Sequence, residues 1–462
     1  MEDTIAAIST ATGEGGIGIV RVSGPQAETV LTTLFRPPRE KGDAGAFSFS
    51  PRHMTYGSII DPDSGEVIDE VMAVLMRAPH TYTCEDVAEI HCHGSVVSLR
   101  RILQLCYAHG ARPAERGEFT KRAFLNGRLD LSQAEAVIDV VRAQTDRSQE
   151  AAIAQLEGSL STDIRALRAD LLDLLVNMAV NLDYPDEDIE EVMYQDLLTS
   201  LEDIRGRIRQ LLDTADSGRI LREGLRAAII GRPNVGKSSL LNALLRESRA
   251  IVTEIPGTTR DTIEEAVSVR GIPVLLTDTA GIRETDDAIE RLGIEKSRQS
   301  FAAADLVFLL LDGSQPLQED DHRLLEKAGS RHTVVIINKR DLGERVSEAE
   351  IREDLPQARI LRTSMKSEKD IAKIEDIIEE LVYRDGVVQQ NSTVVTNARH
   401  ADLLRRAESA VGDAIDVTGR GEALDFIEVD VRRCYELLGE IIGESVSDDI
   451  IDEVFSRFCL GK

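Results

Sequence analysis

The chain has 462 residues, 42% of them apolar and 29% charged, which is ordinary globular usage and enough length for about three domains. With 4% aromatics, no Trp and a net charge of -28, it lacks rows of rings for stacking single-stranded nucleic acid and any global pull on phosphate backbones. A nucleic-acid role therefore requires a local basic patch or a basic partner, and the apolar runs, broken by charges such as Asp305, fall short of the ~18 residues of a bilayer span.

Met1, Glu2 and Asp3 open the chain without a basic n-region or apolar h-region, so no leader peptide and a cytoplasmic location are expected. Cysteines at 84, 92, 106, 434 and 459 are too scattered for a disulfide framework and are expected as free thiols. Residues 1–118 mix short apolar runs at 17–22 and 71–76 with Gly and Pro punctuation and one helical stretch at 95–107, which predicts an α/β domain. Gly13, Gly15 and Gly18 match G-x-G-x-x-G, but the strand-like run at 17–22 follows them in place of a helix, so no dinucleotide site is expected. Cys84, His91, Cys92 and His93 suggest metal ligands until strand alternation is considered, which sends neighbours to opposite faces and sets zinc aside. Residues 100–128 hold seven Arg or Lys against two Glu, a basic stretch suited either to nucleic acid or to a solvated helix face.

From 119 to 217 apolar residues recur three and four apart, predicting helices, with the acidic run 183–191 as a solvated connection. Between 218 and 385 apolar strands alternate with helical patterns, as in a parallel sheet with crossover helices, and helical periodicity returns over 386–462. The simplest architecture joins the two helical segments into one domain and inserts the α/β segment into it.

Residues 231–238 read GRPNVGKS, a phosphate-binding loop pattern, after the apolar run 227–230 and before the helical run 239–245. That context aims backbone N–H groups and a helix N-terminus at phosphates, with Lys237 on the β and γ phosphates and the Ser238 hydroxyl on magnesium. Thr258-Thr259-Arg260-Asp261 can complete the magnesium shell through Thr259. In Asp278-Thr279-Ala280-Gly281 the Asp would hold magnesium through water and the Gly281 N–H would read the γ phosphate. In Asn338-Lys339-Arg340-Asp341 the Asp341 carboxylate can accept from both N1–H and the exocyclic amine of guanine, so GTP is expected over ATP. The expected GTP-binding set adds Asn234, Val235, Gly236 and Ser239, the run Thr253, Glu254, Ile255, Pro256 and Gly257, and Ser364 of an irregular guanine-side loop, Ser364-Met365-Lys366. Ile282 follows Gly281 where Ras-like enzymes carry a Gln, so another group must orient the attacking water. Arg283, Glu284, Asp286, Asp287 and Glu290 are the nearby candidates, within what otherwise reads as a solvated acidic loop.

Residues 18–24 (GIVRVSG), Gly117-Glu118-Phe119, 122–130 (RAFLNGRLD) and the terminal Phe458-Cys459-Leu460-Gly461-Lys462 belong to no ordinary GTPase domain. With the GTPase motifs, they make the chain resemble the MnmE (TrmE) tRNA-modification GTPases over essentially its whole length. The resemblance implies an α/β plus all-α fold: an N-terminal α/β folate-binding and dimerisation domain (1–118), a central helical domain in two parts (119–217 and 386–462), and a P-loop, Ras-like α/β GTPase domain (218–385) inserted in it. It implies a potassium ion held by Asn234, Thr253, Ile255 and Thr258, and Glu290 as the residue that orients water. A tetrahydrofolate donor, 5-formyl or methylene, would sit at Arg21, Glu89, Arg128 and Lys462, with Arg128 where family members often carry Lys, and Cys459 would be a candidate reactive thiol. It further implies a homodimer working in a heterotetramer with an MnmG-type FAD-dependent partner that supplies most of the tRNA contact. Together they would modify C5 of the wobble uridine. No flavin or nicotinamide fingerprint is visible in this chain, consistent with that division. The same GTPase motifs also suit a GTP-controlled binding switch in ribosome assembly, which would need neither a folate pocket nor a thiol.

Overall fold

The structure is a computed structural model that describes residues 3–11, 13–38, 47–183, 191–247, 264–278, 304–329, 332–383 and 393–462. Two compact units divide it: Met1–Ile138, Leu156–Arg168 and Leu438–Lys462 in one, and Asp139–Gln155 and Ala169–Leu437 in the other. Among the described residues no helix is long and apolar enough to cross a membrane.

The first unit holds a seven-stranded sheet of order β3-β4-β5-β6-β2-β1-β7. Its strands are β1 (Ile5–Ile8), β2 (Gly15–Ser23), β3 (Phe35–Arg36), β4 (Thr55–Ile60), β5 (Val67–Met76), β6 (Val87–Gly94) and β7 (Arg112–Pro113). Helices α1 (Ala27–Leu34) and α2 (Val96–Ala108) cover one face, where Val20, Val22, Ala88, Ile90 and Cys92 meet Leu31, Ile102 and Cys106 in a dry core. Ser95 caps α2 by accepting from the Val97 N–H, which is why the helix begins there. Because side chains alternate along a strand, Arg21 and its register partner Glu89 fall on the other face, as do Ile19 and its partner His91. The same alternation buries Cys92 and leaves His93 exposed, so the Cys-His cluster does not converge. Burial pushes the Cys92 thiol up to about 11 and the Cys106 thiol up to about 12, away from reactivity.

Helices α3 (Glu118–Leu125), α4 (Leu131–Arg142), α5 (Asp146–Leu156), α6 (Ser159–Asp183), α7 (Glu191–Asp213) and α8 (Ala215–Glu223) follow. The acidic connection expected at 183–191 falls almost entirely outside the described residues.

In the second unit a six-stranded sheet has the order β13-β12-β11-β8-β10-β9. It comprises β8 (Leu225–Ile230), β9 (Glu264–Val269), β10 (Ile272–Asp278), β11 (Leu306–Asp312), β12 (Thr333–Asn338) and β13 (Arg359–Arg362). All neighbours are parallel except β9, which runs antiparallel to β10. The parallel sheet expected from the sequence is thus present, with one antiparallel strand added at its edge. Only Arg270 and Gly271, both at positive φ, separate the two strands, and so short a link closes a hairpin and cannot carry a crossover. The β11 strand is buried on both faces, Leu306, Phe308 and Leu310 in one core and Val307, Leu309 and Leu311 in the other, which explains its unbroken apolar run. Where the α/β segment leaves and rejoins the helices, the Thr214 hydroxyl accepts from the Val395 N–H at 3.0 Å and Ser217 donates to the Val382 carbonyl. Gly218 lets these segments meet, since a Cβ there would lie 2.2 Å from the Val395 carbonyl oxygen.

Candidate functional site

β8 is the strand at which chain order reverses, β9 and β10 lying on one side and β11 to β13 on the other, the place where open α/β sheets bind ligands. The phosphate-loop residues leave its carboxyl end and enter α9 (Lys237–Glu247). Gly231, Asn234 and Gly236 adopt φ of 150°, 63° and 110°, winding the backbone into a concave turn at a helix N-terminus. The Lys237 ammonium donates to the carbonyls of Gly231 at 2.6 Å and Arg232 at 3.1 Å, so it lies folded over that turn. Ser238 and Ser239 are exposed at the start of α9, and Val235 is buried beneath the loop.

One buried amide joins this loop to the loops that follow β12 and β13. Asn338, 3% exposed, donates from Nδ2 to the Val235 carbonyl at 2.8 Å and accepts through Oδ1 from the Met365 N–H at 3.3 Å. Gly236 has to be glycine, because a Cβ would lie 2.2 Å from Asn338 Nδ2. Lys339 takes φ of 64° and donates to Asp312 at 2.6 Å. Burial pushes the Asp312 carboxyl up, but hydrogen bonds from Lys339 and Ser314 outweigh it and hold the group below its usual range.

Asp341 is held by two donors from the loop that follows β13. Its Oδ2 accepts from Lys366 Nζ at 2.9 Å and its Oδ1 from Ser364 Oγ at 3.1 Å. Those two hydrogen bonds, Lys366 first, hold its carboxyl below the ordinary range, and as an ionised carboxylate it is a pure acceptor, which would suit the guanine N1–H and amine. The Ser364 N–H in turn donates to Asp370 Oδ2 at 3.0 Å. Ser364-Met365-Lys366 therefore backs Asp341 despite its irregular middle residue, since Met365 bonds Asn338 through its backbone N–H and packs its side chain against the core of the sheet.

Thr253, Glu254, Ile255, Pro256, Gly257, Thr258, Thr259, Thr279, Ala280, Gly281 and Glu290 lie outside the described residues. Asp278 ends β10 beside Ile229, one strand from the phosphate loop.

In the first unit the structure brings Arg21, Glu89 and Arg128 together around a residue that carries no sequence motif, Tyr82. Arg21 Nε donates to Glu89 Oε1 at 2.8 Å, and its guanidinium lies 5.6 Å from the Tyr82 ring centre and 5.7 Å from that of Phe119. Arg128 lies 4.7 Å over the same Tyr82 ring and donates to the Tyr82 carbonyl at 3.1 Å. His91 stands 3.3 Å from the second Glu89 oxygen. The C-terminal tail reaches this sheet too: Leu460 bridges Arg116, and Gly461 packs so closely that a Cβ would lie 2.1 Å from the Ile8 carbonyl oxygen. Ile8 is the register partner of Val20, next to Arg21, so Lys462 ends near the strand that carries Arg21. Cys459 is an exposed free thiol, and its carbonyl accepts from the Gly117 N–H at 3.4 Å.

The basic stretch 100–128 is largely neutralised within the unit. Arg122 is fully buried against Asp3 at 2.9 Å, Glu118 at 2.9 Å and Glu85 at 3.0 Å. Arg112 pairs with Glu118 and Asp3, Arg101 with Glu66, and Lys121 with Asp452. Apart from Glu118, these partners lie far away in the sequence, so a local charge count overstates the cationic surface.

The family profile described as the MnmE helical domain matches residues 131–459, and that of the GTP-binding protein TrmE N-terminus matches residues 4–128. Proteins named tRNA modification GTPase MnmE are similar over 100% of this chain: 52% identical in Geobacillus kaustophilus with 99% of that protein covered, 51% in Geobacillus thermodenitrificans with 99% covered, and 50% in Lactiplantibacillus plantarum with 98% covered.

Proposed function

Because the chain belongs to the MnmE family of tRNA modification GTPases, we propose that it hydrolyses GTP to drive modification of C5 of the wobble uridine in certain tRNAs. The group added is aminomethyl or carboxymethylaminomethyl, its carbon comes from a tetrahydrofolate derivative, and the redox step belongs to an MnmG-type FAD-dependent partner. In this reading residues 218–385 are the GTPase domain, inserted between the helical parts 119–217 and 386–462, and residues 1–118 bind folate and form a homodimer.

The observation that carries the proposal is the presence, in one chain, of a hydrogen-bonded cradle at Asn338, Asp341 and Ser364, suited to guanine, and of an Arg21-Glu89-Arg128 cluster away from the phosphate loop. A simple GTP-controlled switch has no use for the second. In the first, the phosphate loop and Lys237 bind the phosphates, Asp341 selects guanine, and Ser238 and Thr259 are the magnesium ligands. The Asn234 side chain is exposed on a left-handed turn of the loop, a position that fits a monovalent-cation ligand beside the phosphates, with Thr253, Ile255 and Thr258 completing the set. Bound there, potassium supplies the positive charge that an arginine finger supplies in other GTPases. Glu290 orients water in place of the Gln absent at Ile282. With the ion acting on the transition state, replacing potassium by sodium should slow turnover on the order of a hundredfold with little change in GTP affinity. Equal rates in both salts would remove the ion site.

The net charge of -28 supports delegation of tRNA binding to a basic partner, with an association that weakens as salt rises. Mass spectrometry of tRNA from a deletion strain tests the function: loss of the C5 group from wobble uridine is expected. An unchanged nucleoside profile would leave the assembly-switch reading in its place.

A further inference from the structure

Tyr82 gathers two cations that would otherwise repel each other. Both guanidinium groups lie within 6 Å of one ring centre, Arg21 at 5.6 Å and Arg128 at 4.7 Å, where the negative face of the aromatic ring attracts each. The loop that carries Tyr82 is itself pinned: its hydroxyl hydrogen-bonds Thr120 at 2.9 Å, the Thr83 carbonyl accepts from Asn126 at 2.7 Å, and the Thr83 hydroxyl meets Ser23 at 2.7 Å. The two cations are not equivalent. Arg21 already has the Glu89 carboxylate, whereas among the described residues no carboxylate pairs with Arg128, whose guanidinium rests on the Tyr82 ring and carbonyl. Arg21, Arg128 and Glu89 together leave one uncompensated positive charge, carried by the exposed Arg128.

We propose that Tyr82 is a positioning residue of the folate site, holding Arg128 flat so that its guanidinium fork receives a glutamyl carboxylate of the ligand, while Glu89 serves the amino-pyrimidine edge. This rests on the folate reading above. The chemistry favours this allocation because a tetrahydrofolate is neutral and donor-rich at its pterin end and anionic at its glutamyl end, which suits a carboxylate and a guanidinium respectively. It also gives a reason for Arg at 128. A planar guanidinium stacks on a ring and forks to a carboxylate at the same time, which an ammonium cannot do.

The test is equilibrium binding of 5-formyl-tetrahydrofolate, and of the matching pteroate that lacks the glutamyl group, to the full-length protein. Wild type should prefer the folate. Tyr82→Leu should weaken folate binding roughly tenfold, as loss of the Arg128 ring–cation contact implies, and leave pteroate binding within about twofold, because Glu89 still holds Arg21, erasing the preference. Tyr82→Phe keeps the ring and should resemble wild type, and Arg128→Lys, which keeps the charge but not the stacking, should lose most of the preference. A preference retained in both Tyr82→Leu and Arg128→Lys, or equal losses for both compounds in Tyr82→Leu, would overturn the assignment, the second result marking the ring as merely structural. Failure of wild type to bind either compound would overturn the folate reading, and this assignment with it.

Discussion

Asp341 would be ionised at neutral pH unaided, and its neighbours carry that charge to lower pH: Lys366 and Ser364 each donate to one carboxylate oxygen and lower its pKa. A depressed carboxyl stays ionised down through the ordinary range near pH 4 and is lost only as pH falls through its own lower pKa. GTP affinity should therefore be flat from pH 8 to pH 5 as far as this group is concerned. Asp341→Asn should weaken GTP binding by about 5- to 150-fold, the 1–3 kcal/mol of a bidentate base contact, and an unchanged dissociation constant would detach Asp341 from base recognition. Arg122 shows the opposite economy of charge. It is fully buried between Asp3, Glu85 and Glu118, so Arg122→Ala would strand those carboxylates and should cost about 3–5 kcal/mol in urea unfolding. A loss under about 1 kcal/mol would show that water replaces the guanidinium. From sequence alone, Arg122 reads as one more cation on a basic helix, because nothing local reveals carboxylates that arrive from residues 3 and 85.

At the scale of elements, local chemistry was legible where it repeats a period or a cap. The apolar run before GRPNVGKS becomes β8, Ser95 caps α2, and Asn397 caps the helix Ala398–Gly419. The antiparallel edge was not legible, since β9 and β10 each look like any half-buried strand and only the two-residue link at Arg270 and Gly271 distinguishes them. Tyr82 left no signal either, because its importance comes from Arg21 on β2 and Arg128 beyond α3, which converge on it only in the folded chain. Elements are also joined by single contacts that the sequence hides. Asn338, at the end of β12, ties the phosphate loop to the Ser364 loop, and the Gly236 backbone passes against it. Gly236→Ala should force these loops apart and reduce GTP affinity at least about tenfold, the penalty of one displaced buried hydrogen bond to phosphate-loop backbone. Calorimetry would check it, and binding equal to wild type would show that the loops yield without loss.

Over the whole molecule, the chain's last residues lie against its first strand. Gly461 adopts φ of 88° with the Ile8 carbonyl where a side chain would go, so Gly461→Ala should displace the tail that carries Cys459 and Lys462. GTP hydrolysis should survive that change while tRNA modification falls, and parallel loss of both would indicate a general folding defect. The proposed function is a division of labour, in which this chain supplies GTP hydrolysis and the folate site and a flavoprotein supplies oxidation and tRNA grip. Its most direct test is reconstitution with purified components, reading modified wobble uridine by mass spectrometry. With GTP, potassium, magnesium, a tetrahydrofolate donor, NADH, tRNA and the FAD-dependent partner, C5-modified uridine should accumulate, and leaving out either GTP or the partner should abolish it. Modified uridine formed without the partner, or in equal yield without GTP, would contradict the account.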